Sequence, residues 1–157
     1  MSSKTRVHKR GQAAMSPLLR ALTGNRTAHE PVTTTMLLQG YAALDAFRRA
    51  RGSRTLHTTL SRHLLIAQEL ARGGFGAEVF DDIESAHAAL VQISEREHAG
   101  RGWTLGDDEY ARLCTALAIF DGQLSGASLS EIASAEAKMI EGLMRSAKLQ
   151  AIAEAAH

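Results

Sequence analysis

Apolar residues recur at spacings of three and four over most of this chain, the spacing of one face of an α-helix. Over 33–51, Met36, Leu37, Gly40, Tyr41, Leu44 and Phe47 form one stripe, with Thr33 to Thr35 available as caps and Gly52 as a stop. Over 54–72 the stripe is Leu56, Leu60, His63, Leu64, Ala67 and Leu70, closed by Gly73-Gly74. Over 77–98 it is Val79, Phe80, Ile83, Ala86, Leu90 and Ile93. A Gly-rich turn over 99–106 holds the single tryptophan, Trp103. A fourth helix, 107–124, turns Tyr110, Leu113, Cys114, Leu117 and Phe120 inward. The last opens at the capping box Ser128-Leu129-Ser130-Glu131 and runs through Ile132, Met139, Ile140, Leu143 and Ala147 into an alanine-rich tail.

Both prolines fall early, at 17 and 31, and none follows. Residues 1–15 lack apolar periodicity. Ser16-Pro17 opens a short helix over 17–23, Gly24 stops it, and 24–32 reads as a linker. The division expected is a basic flexible arm with a short helix over 1–32, then one domain over 33–157. No segment alternates with the period of a strand, and no repeat near 34 residues marks a solenoid. The fold class is all-α, an antiparallel bundle of four to five amphipathic helices carrying a basic N-terminal arm.

Composition agrees. Aromatic residues make up 4% of the chain and alanines number 27 in 157, which suits closely approaching helices better than sheets. No stretch approaches the roughly 20 apolar residues that cross a bilayer. The N-terminus is basic without the apolar run of a secretion signal, and the lone Cys114 has no partner for an intramolecular disulfide. A cytoplasmic protein is expected, with no membrane contact.

Charge changes the picture more. Residues 1–72 carry 12 Lys/Arg against three acids, +9, and residues 73–157 carry six against 14, −8. Acids at the starts of the third and fourth helices complement helix dipoles and explain part of the negative half. Two basic clusters keep no such local reason: Lys4, Arg6, Lys9 and Arg10 on the arm, and Arg48, Arg49, Arg51 and Arg54 between the first two long helices. Such clusters suit a phosphate backbone. The structural alternative is that the basic helices lean on the acidic ones, or that the two faces pair between copies. Sequence-specific readout is not expected, because the helix after the GGFG turn reads AEVFDDIE and its acids repel a major groove.

A second set of residues interrupts the apolar stripes: His63, His87, Asp121 and Glu136, one per helix. Buried polar groups of this kind are costly unless paired or ligated, so four converging would make a His₂-carboxylate₂ metal or small-ligand site. A polar layer fixing helix register is the plainer reading. The pairs Glu84/His87 and Glu95/His98 share one helix about 16 Å apart, too far for one di-metal cluster. Glu136 with Met139, Ile140 and Met144 also suits an adaptable partner surface, since methionines repack easily. No nucleophile elbow or phosphate loop occurs, and nothing in the chain nominates a catalytic residue or a cofactor. The expected function is therefore non-enzymatic. A binding or regulatory protein would act through its basic half on nucleic acid or an acidic protein surface. The alternatives are a metal- or small-ligand-binding bundle and a structural homo-oligomer with complementary charged faces.

Overall fold

The structure, a computed structural model, describes residues 26–155. Five helices follow one another: α1 Arg26–Arg48, α2 Arg54–Arg72, α3 Phe80–His98, α4 Asp107–Gly126 and α5 Leu129–Ala155, with a 3₁₀ turn at Ala77–Val79 ahead of α3. The fold is an all-α bundle, and no strand occurs among the described residues. The basic arm, including Lys4, Arg6, Lys9 and Arg10, and the short helix expected over 17–23 lie outside them.

α2 sits at the centre and packs against α1, α3, α4 and α5. Its sequence accounts for that position. Leu60, Leu64, Ile66, Ala67, Leu70 and Ala71 are all buried, and they cover more of the helix circumference than one stripe would. Two apolar clusters result. Leu60 and Leu64 join Phe47, Leu90, Ile93, Leu113 and Leu117 near the start of α2. Ile66, Ala67, Leu70 and Ala71 join Ile83, Phe120, Leu124, Ile132 and Met139 near its end. His63 touches both, stacking on Phe120 of the second cluster and sharing the Gly40 contact with Leu117 of the first.

α1 begins at Arg26, not in the low thirties, so the expected linker over 24–32 is helical from Arg26 onward. Pro31 lies inside the helix and removes one backbone donor. Local and distant bonds offset the loss. Thr33 donates to the carbonyls of His29 and Glu30 instead of capping, Thr35 donates to that of Pro31, and His29 Nε2–H donates to the Ala127 carbonyl at 2.8 Å.

α1 also ends earlier than its sequence suggests, because Ala50 and not Gly52 closes it. Ala50 takes φ +56°, its N–H reaches Phe47 O, and Arg51 N–H reaches Ala46 O. The same pair of bonds closes α2 at Gly74 and α3 at Gly100, both with positive φ. Gly52 serves a different purpose. A Cβ there would stand 2.6 Å from the Phe47 ring and 2.7 Å from Trp103 Cβ. It is the contact point between the α1–α2 turn and the 99–106 loop.

α5 starts with the expected capping box, Ser128 N–H donating to Glu131 Oε2 at 2.8 Å and Glu131 N–H donating to Ser128 Oγ at 3.2 Å. It then runs antiparallel to α2, with Glu136 against Arg62 and with Glu131 and Lys138 beside Glu69 and Gly73. Ile132, Ala135 and Met139 are buried on it, but every residue from Ile140 to Ala155 is exposed. The inward stripe expected to continue through Ile140, Leu143 and Ala147 stops at Met139. Tyr41, expected inward on α1, is also exposed.

The three Schellman-type ends differ in one residue type. Ala50→Gly removes the steric cost of an alanine in the left-handed region and is expected to stabilise the fold by about 1 kcal/mol. Gly52→Ala is expected to destabilise it by about 2 kcal/mol or more, since ring and backbone must separate. Urea midpoints of the two variants against the parent check both signs.

Candidate functional site

The end of the bundle formed by the α1–α2 turn and the 99–106 loop carries the second basic cluster, Arg48, Arg49, Arg51 and Arg54. Trp103 packs this end together. Its ring meets Phe47 edge-on at 6.3 Å between centroids and His57 at 5.3 Å. The His57 ring is held in turn by donating from Nε2 to the Leu90 carbonyl at 2.9 Å.

Arg96 and Glu109 fix the other side of the loop. The guanidinium donates to both carboxylate oxygens at 2.7 and 2.5 Å, to Thr104 O at 2.8 Å and to Thr104 Oγ1 at 3.2 Å. Glu109, 6% exposed, also accepts from Gly106 N–H and so caps α4. Burial pushes the Glu109 carboxyl upward. The hydrogen bonds from Arg96 and Gly106, with the charges of Arg96 and Arg112, more than offset this and hold it below its ordinary value. This fork was not legible in the sequence, where the pair is 13 residues apart across a loop.

On this frame the four arginines take different roles. Arg48 lies over the Tyr110 ring at 4.2 Å, which ties the end of α1 to α4. Arg49 pairs with Asp45 at 2.8 Å on the surface. Arg51 and Arg54 are exposed, and among the described residues neither has a carboxylate within ion-pair distance. Arg54 is the first residue of α2, at the positive end of the dipole, where a cation is disfavoured. α3 and α4 both carry acids in their first turns; α2 carries none. Two of the three acids opening α4 are already engaged, Asp108 by Arg112 and Glu109 by Arg96. Arg101, also exposed, adds a further cation two residues before Trp103.

The basic and acidic halves of the chain do not neutralise each other within the bundle. Among the described residues one ion pair crosses between them, Arg62–Glu136; the rest form within one half, mostly within one helix.

His63, His87, Asp121 and Glu136 do not converge. Among the described residues no three His, Cys, Asp or Glu side chains are grouped as a metal ion requires. His63, 3% exposed, stacks on Phe120 at 5.4 Å between ring centroids, close to Gly40 and Leu117. Asp121 follows Phe120 directly, so the 100° step of the helix turns it out to solvent. Glu136 is taken by Arg62. His87 borders a separate shallow depression with Leu65, Gln68 and Glu84. An open apolar depression of about 320 Å³ between Phe75, Val79, Ile119 and Gln123 touches none of the four.

Comparison with known proteins finds no family, no curated protein and no solved structure that matches this chain. Its class is therefore defined by its own fold and surface: an all-α bundle with a cationic corner. Among the described residues no helix is long and apolar enough to cross a membrane.

Burial, and next the Arg62 charge, lower the pKa of His63 to about 4, and its Nδ1 has no hydrogen-bond partner. Burial lowers His87 too, by more than the Leu64 carbonyl and Glu84 raise it. A histidine with a depressed folded pKa leaves the unfolded chain holding more protons as pH falls below about 6.5, so acid destabilises the fold. His63 alone is expected to remove about 2 kcal/mol between pH 7 and pH 5. Chemical denaturation at the two pH values checks this, and His63→Leu is expected to flatten most of the difference.

Proposed function

We propose that this is a non-enzymatic binding protein whose α1–α2 corner takes up the phosphate backbone of nucleic acid. One observation carries the reading: the basic surplus is not spent inside the fold. Arg51 and Arg54 stand exposed without carboxylate partners among the described residues, and Arg54 stands at a helix start where its charge costs stability. Clustered arginines tolerated against the dipole suit an anionic partner, and planar guanidinium groups suit phosphate oxygens.

The contact is non-specific in sequence. A turn and a helix end present these side chains, rather than a helix face shaped for a groove, so backbone charge supplies the affinity. The basic arm is the natural second contact. A reducing cytoplasm suits the single Cys114, which is half-buried on α4 and unpaired.

Anisotropy titrations of labelled single- and double-stranded oligonucleotides with the full chain, from 25 to 200 mM salt, test the reading. Binding at low salt is expected, with log K falling linearly against log salt. Arg51→Glu with Arg54→Glu is expected to weaken binding at least tenfold and to flatten the slope by roughly two, while Arg145→Glu on α5 has little effect. No binding at 25 mM salt, or affinity indifferent to salt, ends the nucleic-acid reading. Binding to an acidic protein but not to oligonucleotides would replace the partner.

A further inference from the structure

The last 16 described residues of α5 pose a separate problem. Every residue over 140–155 is exposed, and they include Ile140 at 47%, Leu143 at 52% and Met144 at 69%. A helix of this length with no tertiary support is marginal in water. Six of the exposed apolar positions are ordered, while Leu149 at 62% and Ile152 at 57% lie off the series. Ala133, Ala137, Ile140, Met144, Ala147 and Ala151 are spaced 4-3-4-3-4, a heptad seam, and all six are exposed. The seam lies about 120° around the helix from the face that Ile132, Ala135 and Met139 bury against the bundle. It is a second apolar face, not a continuation of the first.

The order of side chains along the seam indicates what covers it. It reads the same in both directions by size: two alanines, Ile140, Met144, two alanines. A second copy laid antiparallel brings Ala133 to Ala151, Ala137 to Ala147 and Ile140 to Met144, with the reciprocal contacts generated by the two-fold. Large residues then meet at the centre and small ones at the ends, so the backbones approach evenly.

The edges agree. Leu143 borders one side of the seam and meets Leu143 of the second copy near the axis. Glu141 and Lys148 border the other side, one heptad apart. The antiparallel register places Lys148 of each copy about 7–8 Å along the axis from Glu141 of the other, within reach of the lysine stem. The two Glu141 side chains face each other near the axis, and each is already held by its own Arg145 at 2.7 Å. A seam of 19 residues is about 28 Å long, so two copies bury roughly 1,000 Å² in total, the lower bound for a specific interface.

We propose that the chain forms a two-fold symmetric dimer through antiparallel pairing of α5 over residues 133–151. The pairing uses no residue of the arginine corner and stands whether or not that corner binds nucleic acid. Sedimentation equilibrium of the full chain near 100 µM is expected to give twice the 16.9 kDa of one chain. Met144→Asp is expected to restore the monomer mass, with loss of helix confined to the 140–155 end of α5. Leu149→Asp, exposed on the opposite side of α5, leaves the dimer intact. In a Cys114→Ala background, Ala137→Cys with Ala147→Cys is expected to cross-link two chains on oxidation, whereas Ala147→Cys alone does not, since its two copies stand about 15 Å apart along the axis.

A monomer at 100 µM overturns the proposal. So does a dimer indifferent to Met144→Asp, or one that Ala147→Cys alone cross-links, which marks a parallel pairing. A monomer whose α5 amides over 140–151 resist hydrogen exchange overturns it too, and assigns the seam to another segment of the same chain.

Discussion

Every other helix is placed by its contact with α2. A helix with a buried face wider than a single stripe leaves its neighbours little choice of position, because each must close a different part of the same apolar surface. α1, α3 and α4 enclose its first half around Leu60 and Leu64, while α5 joins α3 and α4 over the second half at Ile66 and Leu70. Gly40 admits the His63 ring, with Nδ1 only 3.1 Å from where a Cβ would stand. The close packing of α1 on α2 thus depends on one missing methyl. His63 enters this core neutral, stacked on Phe120, and marks the boundary between the two apolar clusters.

The cationic corner depends on the same arrangement at one remove. α2 fixes where its own first turn begins, and Ser53 Oγ accepts from Leu56 N–H to cap it. Gly52 lets Phe47 and Trp103 close against the turn, and the Arg96–Glu109 fork holds the loop that delivers Trp103. Arg51 and Arg54 are therefore exposed from a rigid base, although their side chains are free. A cation cluster on such a base loses less freedom on engaging an anion than one on an unsupported loop.

Elements set by local chemistry were legible in the sequence. The boundaries of α2, the acidic openings of α3 and α4, and the capping box of α5 each rest on residues within one turn of the feature. Where the structure departs from that reading, the cause is a distant partner in one case and a local conformation in another. The stretch around Pro31 reads as a linker, and its helix is tied down by His29, which donates to the Ala127 carbonyl 98 residues away. Ala50 is an unremarkable residue whose left-handed conformation only the closing bonds reveal. For the candidate sites, the arginine cluster was visible as composition, but which arginines keep a free charge was not. Arg48 is taken by Tyr110 and Arg49 by Asp45. The four polar interruptions were visible as a pattern, yet one helical step separates buried Phe120 from exposed Asp121. Periodicity gives the angle of a side chain around its own helix and says nothing of its height against the next.

Trp103 is the only tryptophan in the chain, and it sits wholly within the corner end. Its emission is therefore a local optical signal, sensitive to the separation of the 99–106 loop from Phe47, Gly52 and His57. The Phe75, Ile132 and Met139 end of the bundle has no indole and is silent in the same channel. Any opening that begins at one end before the other thus separates fluorescence from circular dichroism. The molecule carries an intrinsic probe of whether its two apolar clusters come apart together.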